Sequence, residues 1–379
     1  MNIVIASDSF KGSNSSQRVG EHIAMGIHKV FTDADITIIP IGDGGEGTVD
    51  AVISQMKGTM RTCRVTGPLG EPVDASYGIA QKIAVIEMAS ASGLPLVPED
   101  KKNPLKSTTY GTGELIKDAL EQGCREILVA IGGSATNDGG VGMAQALGYS
   151  FKDKDGKEVG FGGGELNRIA SIDSSRAVKE LSESDIRIMC DVSNPLCGPK
   201  GASAIYGPQK GATPEMIEEL DGNLAHLAQV TASELGKEYA EIPGSGAAGG
   251  LGFGLLAFAG GTIQSGIEAV LEAIDFTNRI AGADLVITGE GKMDGQSVYG
   301  KAPVGVAKAA KSHNIPVLAM VGDIGKGIEA VYDHGIDSVM SNVNRAMPLK
   351  IAMEESAELL VDAAERAMRM IAIGMKLSS

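Results

Sequence analysis

The chain has 379 residues, of which 43% are hydrophobic and 21% charged, a composition typical of a globular protein long enough for two domains. Its formal net charge is −15 and it has no Trp, so nucleic acid is not an expected partner. No basic region precedes the short apolar run at the start, and no run approaches the ~18 apolar residues of a membrane span. We therefore expect a cytoplasmic protein that does not contact a membrane.

The N-terminal part of the chain repeats a strand–loop–helix pattern. Its predicted elements are, in order, a buried strand over 2–6, a polar loop with Asp8 and Lys11, a helix over 16–31, a strand over 36–41, a glycine-rich loop with Asp43 and Glu46, and a helix from Thr48. Two such units in succession predict a parallel sheet with right-handed crossovers. In such sheets the chemistry lies in the loops at the carboxyl ends of the strands.

The pattern changes after residue 66, where shorter alternating runs begin. The predicted elements that follow are strands over 73–79 and 83–88, a helix over 113–121, a strand over 127–131 with a glycine-rich loop over 132–140, a helix from about Met143, a strand over 186–190 with Asp191 and Asn194 behind it, and a helix over 214–235. The six glycines within 244–254 suit either close backbone packing or a hinge for domain closure, and we favour closure.

From residue 280 the strand–loop–helix pattern of the N-terminal part returns, with strands over 285–288, 317–321 and 338–340 that alternate with helices. This return predicts that the two ends of the chain share one sheet. We therefore expect a discontinuous domain of residues 1–66 and 270–379, with a mixed α/β domain of residues 67–269 inserted into it.

The stretch 284–313 combines a buried strand, a glycine-rich loop and a helix whose first turn holds Pro303. Unpaired N–H groups and the helix dipole favour an anion at such a helix start. Residues 295–302 nearly match the P-loop pattern G-x-x-x-x-G-K-[ST], but Ala302 replaces the hydroxyl that binds Mg²⁺. The stretch is therefore a candidate phosphate site and a weak P-loop.

Five predicted strand ends carry loops that mix glycine with carboxylates, lysines or hydroxyls. These loops hold Asp8 and Lys11; Asp43 and Glu46; Ser134, Thr136, Asn137 and Asp138; Asp191 and Asn194; and Glu290, Asp294 and Lys301. Each loop alone is more often a plain turn. None contains one of the five histidines, so a His-based triad or His–metal site is not expected. Carboxylates, lysines and glycine N–H groups fit phosphoryl transfer, and the spacing alone does not name the acceptor.

Glycine-rich blocks along essentially the whole chain carry a family resemblance: ASDSFKGS, DGGEGT, VTGPLG, EMASASGL, STTYGTGELI, IGGSATNDGG, CDVSNPL, GPQKGA, PGSGAAGGLG and ITGEGKMDGQSVYGK. With these blocks the chain resembles the bacterial type I glycerate kinases. That family commonly has a proline before the first aspartate and an acid after the lysine of its first block. Here Ser7 and Gly12 stand at those places while Asp8 and Lys11 are kept, so the departure concerns only the missing acid.

The resemblance implies ATP-dependent phosphorylation of D-glycerate, generally to 2-phosphoglycerate, with Mg²⁺, in glycerate, glucarate or glyoxylate catabolism. It also implies an α/β fold in which a Rossmann-like parallel-sheet domain and a second mixed α/β domain place the active site in the cleft between them. The partner is then a small-molecule substrate. Oligomeric state stays open, with a homodimer as one option.

Residue roles are assigned as hypotheses in three groups. The catalytic and substrate-binding candidates are Lys11 and Asp8 for the glycerate anion and hydroxyls, Asn194 beside them, and Asp191 as the general base, with Asp294 or Asp43 as alternatives for the base. The candidates for ATP and its phosphates are Gly133, Ser134, Thr136, Asn137, Lys292 and Lys301. The candidates for Mg²⁺ are Asp43, Glu46 and Glu290.

Two other functions remain open at this point. The first is a kinase of another small hydroxy acid that shares these loops. The second is a non-catalytic sensor that binds a phosphorylated metabolite, although a sensor has no need of so many carboxylates at strand ends.

Overall fold

A computed structural model of the chain describes residues 1–42, 48–298 and 300–378. Its strands, numbered along the chain, are β1 Asn2–Ser7, β2 Asp35–Ile38, β3 Thr59–Thr66, β4 Pro72–Ala80, β5 Ile83–Glu87, β6 Glu126–Ala130, β7 Ser150–Lys152, β8 Ser171–Asp173, β9 Asp185–Met189, β10 Thr262–Gln264, β11 Leu285–Met293, β12 Val317–Ile324 and β13 Ser338–Ser341.

The α-helices are α1 Ser16–His28, α2 Thr48–Gln55, α3 Ala89–Ser92, α4 Tyr110–Glu121, α5 Val141–Ala146, α6 Ala202–Tyr206, α7 Pro214–Leu235, α8 Ala247–Phe258, α9 Gly266–Ala273, α10 Phe276–Arg279, α11 Ala302–Lys311, α12 Leu349–Glu354 and α13 Ser356–Ser378. Short 3-10 helices cover Leu94–Leu96, Glu99–Lys101, Gly163–Arg168, Lys179–Glu183, Pro208–Lys210 and Ile328–His334. Within the described ranges, no helix has the length and apolar character needed to cross a membrane.

The chain divides into two compact units, the first formed by Met1–Asp43 and Ile267–Ser379 and the second by Gly44–Gly266. The sequence pattern placed the first boundary later, after residue 66. The difference has a physical cause, because β3 pairs with β4 along its whole length and α2 packs on β4 and β5. Residues 48–66 therefore share the core of the second unit.

The first unit contains a five-stranded parallel sheet in the order β13–β12–β11–β1–β2. The helices α1 and α13 pack together, and their apolar residues cover the face that holds Ile3, Ile5 and Ile287. Because side chains alternate along a strand, Val4 and Val286 face the other way, where α11 packs on β1 and β11. Helices on both faces of a parallel sheet make this unit Rossmann-like, as predicted.

The second unit contains a six-stranded mixed sheet in the order β10–β9–β6–β5–β4–β3. Within this sheet β5, β6, β9 and β10 are parallel to one another, whereas β3, β4 and β5 form an antiparallel meander. A separate two-stranded antiparallel sheet joins β7 to β8. The predicted second mixed α/β part is thereby confirmed.

One predicted loop in the first unit is in fact strand. The sequence pattern ended the strand at residue 288, but β11 continues to Met293. Its glycine-rich end pairs with β12, with Glu290 opposite Val321 and Lys292 opposite Asp323. Glycine suits this place because a Cβ at residue 289 would overlap the Met320 carbonyl oxygen of the neighbouring strand. The loop between β11 and α11 is correspondingly shorter than expected.

The glycine run of residues 244–254 packs closely against backbone. Ala248, Gly249 and Gly250 have left-handed backbone conformations that kink α8 near its start. A Cβ at Gly249 would lie 2.6 Å from the Cα of Asn137, and one at Gly254 would lie 2.6 Å from the carbonyl oxygen of Gly139. These glycines let α8 pack closely against the loop that follows β6. This is the close backbone packing that the sequence analysis gave as the alternative to a hinge.

Candidate functional site

The sheet of the first unit has one point where its strand order reverses. From β1 the chain moves outward to β2 on one side, and β11, β12 and β13 extend the sheet on the other side. Open α/β sheets bind ligands outside the carboxyl ends of their strands at such a switch point. A pocket of about 950 Å³ lies at this end of the sheet, lined by residues that follow β1 and β13 and by the ends of β11 and β12.

Charged side chains from five sequence-predicted positions and one further position line this pocket together. Lys11, Lys292 and Lys301 supply positive charge, and Asp8 and Glu290 supply carboxylates. Asp323, at the end of β12, adds an exposed carboxylate that the sequence analysis did not single out. None of the described residues that line the pocket is His or Cys. The pocket therefore offers cations for phosphate oxygens and carboxylates for a divalent metal ion.

The loop after β1 positions Asp8 and Lys11. The amide N–H of Asp8 donates to the carbonyl oxygen of Gly289 at 3.0 Å, which continues the pairing of β1 with β11 beyond Ser7. The Asp8 carboxylate accepts a hydrogen bond from the amide of Ser9 at 2.6 Å. Lys11 follows on the same loop and is exposed. The strand pairing thus fixes the point at which these two side chains enter the pocket.

A buried hydrogen-bond network joins Glu290, Ser297 and Lys301. Glu290 is 7% exposed; its carboxylate accepts from the Ser297 hydroxyl at 2.7 Å and from Lys301 Nζ at 3.0 Å. Burial raises the pKa of Glu290, while the hydrogen bonds from Ser297 and Lys301 act to lower it. Both carboxylate oxygens are engaged, so Glu290 orients Lys301, and its role as a Mg²⁺ ligand stays a prediction.

The start of α11 differs from a P-loop. Lys301 is the N-cap residue of α11, and Pro303 lies in the first turn as predicted. Asp294 accepts a hydrogen bond from the amide of Gln296 at 2.9 Å through Oδ1, so its side chain closes a local turn. Tyr299, inside the near-match to the P-loop pattern, lies outside the described residues. Asp294 is not among the residues that line the pocket.

The second unit carries the remaining predicted phosphate-binding residues on the loop after β6. Gly133 is exposed and has a left-handed conformation with φ +74°. Ser134 is 6% exposed, and both Thr136 and Asn137 are fully buried. Thr136 Oγ1 and Asn137 Oδ1 have no hydrogen-bond partner among the described residues. Phosphate binding by these side chains stays a prediction, and solvent reaches the loop at its glycine end.

A buried lysine and a buried aspartate hold this loop. Lys210 is 1% exposed, and its Nζ donates to the Thr136 carbonyl oxygen at 2.6 Å. Burial lowers the pKa of Lys210 to about 7, with the Asp138 carboxylate acting in the opposite direction. Asp138 is 1% exposed, accepts from the amide and the hydroxyl of Thr109, both at 2.8 Å, and has its pKa raised by burial. The GPQKGA block thus contributes a structural lysine.

Asp191 and Asn194 follow β9, which pairs directly with β6. Asp191 is exposed, and its Oδ1 accepts from the Ser265 hydroxyl at 3.1 Å and from the amide of Gly266 at 3.0 Å. The Asn194 amide donates to the carbonyl oxygen of Lys200 at 2.8 Å, and its Oδ1 accepts from the Tyr206 hydroxyl at 2.7 Å. Asn194 therefore ties its own loop together, and its predicted contact with substrate stays a prediction.

The predicted metal ligands Asp43 and Glu46 lie outside the described residues. Within the part of the chain that the structure describes, no group of three or more His, Cys, Asp or Glu side chains is arranged to hold a metal ion. Mg²⁺ does not require such a cage, since it is often bound by one or two carboxylates together with substrate phosphates. The carboxylates of Asp8 and Asp323 in the pocket fit this mode of binding.

The sequence did not single out two residues of interest or the burial of a third. Asp323 follows the apolar run 317–321, so the same pattern of a strand followed by a carboxylate could have identified it. Asn342, which lines the pocket after β13, is 2% exposed, and its Oδ1 has no hydrogen-bond partner among the described residues. Asn342 follows the short strand β13, and the sequence pattern does not define the residue at which that strand ends. No local sequence pattern indicates that Lys210 is buried.

Known proteins resemble this chain over nearly its whole length. The model of the Glycerate kinase family matches residues 3–372. A glycerate kinase of Bacillus subtilis is 50% identical over 380 residues, which cover 100% of this chain and 98% of the relative. A glycerate 2-kinase of Escherichia coli is 48% identical over 378 residues, which cover 99% of each chain. The crystal structure of a candidate glycerate kinase 2 from Salmonella typhimurium LT2 superposes with a TM-score of 0.90 at 45% identity, covering 99% of each chain. The chain therefore belongs to the glycerate kinase family.

Proposed function

We propose that the protein transfers the γ-phosphoryl group of ATP to the 2-hydroxyl of D-glycerate, giving 2-phosphoglycerate and ADP. The observation that carries this proposal is the pocket at the switch point, where three lysines and three carboxylates meet without a histidine or cysteine. Phosphoryl transfer needs positioned cations and a metal ion more than it needs a covalent nucleophile. The name of the Escherichia coli relative supports the 2-hydroxyl as the acceptor.

In the proposed reaction the bond between the γ-phosphorus and the oxygen that bridges it to ADP breaks. A new bond forms between that phosphorus and the C2 oxygen of glycerate. Asp191, an exposed carboxylate at the end of β9, takes the proton of the attacking hydroxyl. Lys292 and Lys301 neutralise phosphate oxygens, with Lys301 oriented by Glu290. Lys11 pairs with the carboxylate of glycerate.

Mg²⁺ bound to ATP would neutralise charge on the phosphate oxygens. Asp8 and Asp323 are the described carboxylates that would hold it, because Glu290 already accepts hydrogen bonds through both of its oxygens.

Replacing Lys11 by methionine is expected to lower kcat/KM for D-glycerate about 10- to 100-fold, because a hydrogen bond to a charged group contributes about 1.5–3 kcal/mol. Lys11 is exposed, so the change leaves the core intact. Initial rates of ADP release at varied D-glycerate measure the effect.

The matched control for Lys11 is Lys350→Met on α12. The Lys350 side chain is 83% exposed and does not line the pocket, yet its loss changes the net charge equally. This variant should keep wild-type kinetics. An equal fall of kcat/KM in both variants would show that Lys11 acts only through its long-range charge. Unchanged kinetics of Lys11→Met would show that Lys11 does not bind the substrate.

A coupled assay of ADP release on D-glycerate, L-glycerate and other small hydroxy acids tests the proposed function. We expect turnover that depends on ATP, Mg²⁺ and D-glycerate together. Faster turnover of another hydroxy acid would identify a different kinase. Calorimetric binding of D-glycerate or its phosphate without any ADP release would identify a sensor.

A further inference from the structure

The pocket of the first unit has two chemically different sides. One side carries the lysines and carboxylates described above. The other side, here called the apolar wall, consists of side chains from the segment that follows β13: Val343, Met347, Leu349, Ala352 and Met353. A pocket of about 950 Å³ is near the upper end of the volumes that small-molecule sites usually have.

The helix α12 builds much of the apolar wall. Leu349, Ala352 and Met353 are spaced i, i+3 and i+4, so they project from the same face of the helix. Leu349 is 75% exposed, which places a large apolar side chain in solvent beside the pocket. The opposite side of the pocket is close, since a Cβ at Gly12 would lie 2.8 Å from Met353 Cε. The apolar wall therefore reaches the loop that carries Lys11.

D-glycerate does not account for this wall. Glycerate has a carboxylate and two hydroxyls on three carbons, and it offers almost no apolar surface to bury. A nucleoside triphosphate matches both sides of the pocket. The faces of its flat base are apolar, like the wall, and its phosphates are strongly anionic, so they complement the lysines. Apolar and methionine side chains bind an aromatic ring favourably.

We propose that the apolar wall binds the base of the nucleoside triphosphate, with the triphosphate directed to Lys292 and Lys301. The inference rests on the proposed function, which supplies the nucleotide, and it goes further by naming the side chains that hold its base. Leu349 is the principal contact, because it is the most exposed large apolar side chain in the wall, whereas Val343, Met347 and Met353 are half-buried.

The test compares two ligands that share phosphates and differ in the base. Calorimetry measures the Kd of ATP and the Kd of inorganic tripolyphosphate for the wild type and for Leu349→Ser. Loss of the leucine contact is expected to weaken ATP about fivefold to tenfold, and tripolyphosphate by less than twofold. The variant is not expected to unfold, because Leu349 is exposed in the free protein.

The control variant is Leu377→Ser. Leu377 is 84% exposed on α13 and does not line the pocket, so its replacement should change neither Kd. Equal weakening of ATP and tripolyphosphate by Leu349→Ser, or unchanged ATP affinity, would overturn the base subsite. Wild-type protein that binds D-glycerate but neither ATP nor tripolyphosphate would instead contradict the proposed function.

Discussion

Replacement of Asp191 by asparagine should lower kcat at least ~10²-fold, equivalent to about 2.7 kcal/mol of transition-state stabilisation. Asparagine keeps an Oδ1 that can accept from the Ser265 hydroxyl and the Gly266 amide, so the loop geometry should persist. What is lost is the ability to take up the proton of the attacking hydroxyl. Steady-state kinetics with D-glycerate and ATP, together with an unchanged thermal unfolding midpoint, measure this effect.

Asp294→Asn is the matched comparison for Asp191. Oδ1 of Asp294 also accepts a backbone N–H, that of Gln296 at 2.9 Å, so each substitution removes one negative charge from a carboxylate that accepts a backbone amide. We expect Asp294→Asn to retain most activity. Near-normal turnover of Asp191→Asn with collapse of Asp294→Asn would move the base to Asp294. Normal turnover of both variants would leave Asp43 as the candidate.

Replacing Gly249 by alanine should destabilise the protein by about 2–5 kcal/mol. Its φ of +67° costs a side chain roughly 1–2 kcal/mol, and overpacking typically adds 1–3 kcal/mol more. The added Cβ would overlap the Thr136 carbonyl oxygen, which also accepts the hydrogen bond of the buried Lys210. Urea denaturation followed by circular dichroism measures the change in the free energy of unfolding.

Gly260→Ala separates the two causes. Gly260 has the same φ of +67°, but no atom lies within 4 Å of the position that its Cβ would take. This variant should lose only the roughly 1–2 kcal/mol of backbone strain. Equal losses in the two variants would show that close packing of α8 on the loop after β6 contributes little.

Local patterns predicted well those elements that are specified locally. The long helix α7 has the predicted bounds because Thr213 caps its start, Pro214 opens it and Gly236, with φ +65°, ends it. The first strand and first helix were likewise found from apolar spacing, although α1 ends at His28 rather than at 31.

Long-range pairing explains what the sequence did not predict. The end of β11 has the composition of a loop, and only its pairing with β12 makes it a strand. The domain boundary predicted after residue 66 separates β3 from β4 for the same reason, because their pairing is not visible in local sequence patterns. Polar strand ends singled out Asp8 and Glu290, and both line the pocket. Their proximity depends on the contact between β1 and β11, which lie about 280 residues apart in sequence.

The product of the reaction tests the account most directly. Phosphorus-31 NMR of an incubation with D-glycerate, ATP and Mg²⁺ distinguishes the two esters, because C2 of glycerate carries one hydrogen and C3 carries two. We predict a new phosphate-ester signal split into a doublet by the single hydrogen on C2, together with one equivalent of ADP. A triplet would place the phosphoryl group on the 3-hydroxyl, and the absence of any new ester would contradict glycerate kinase activity.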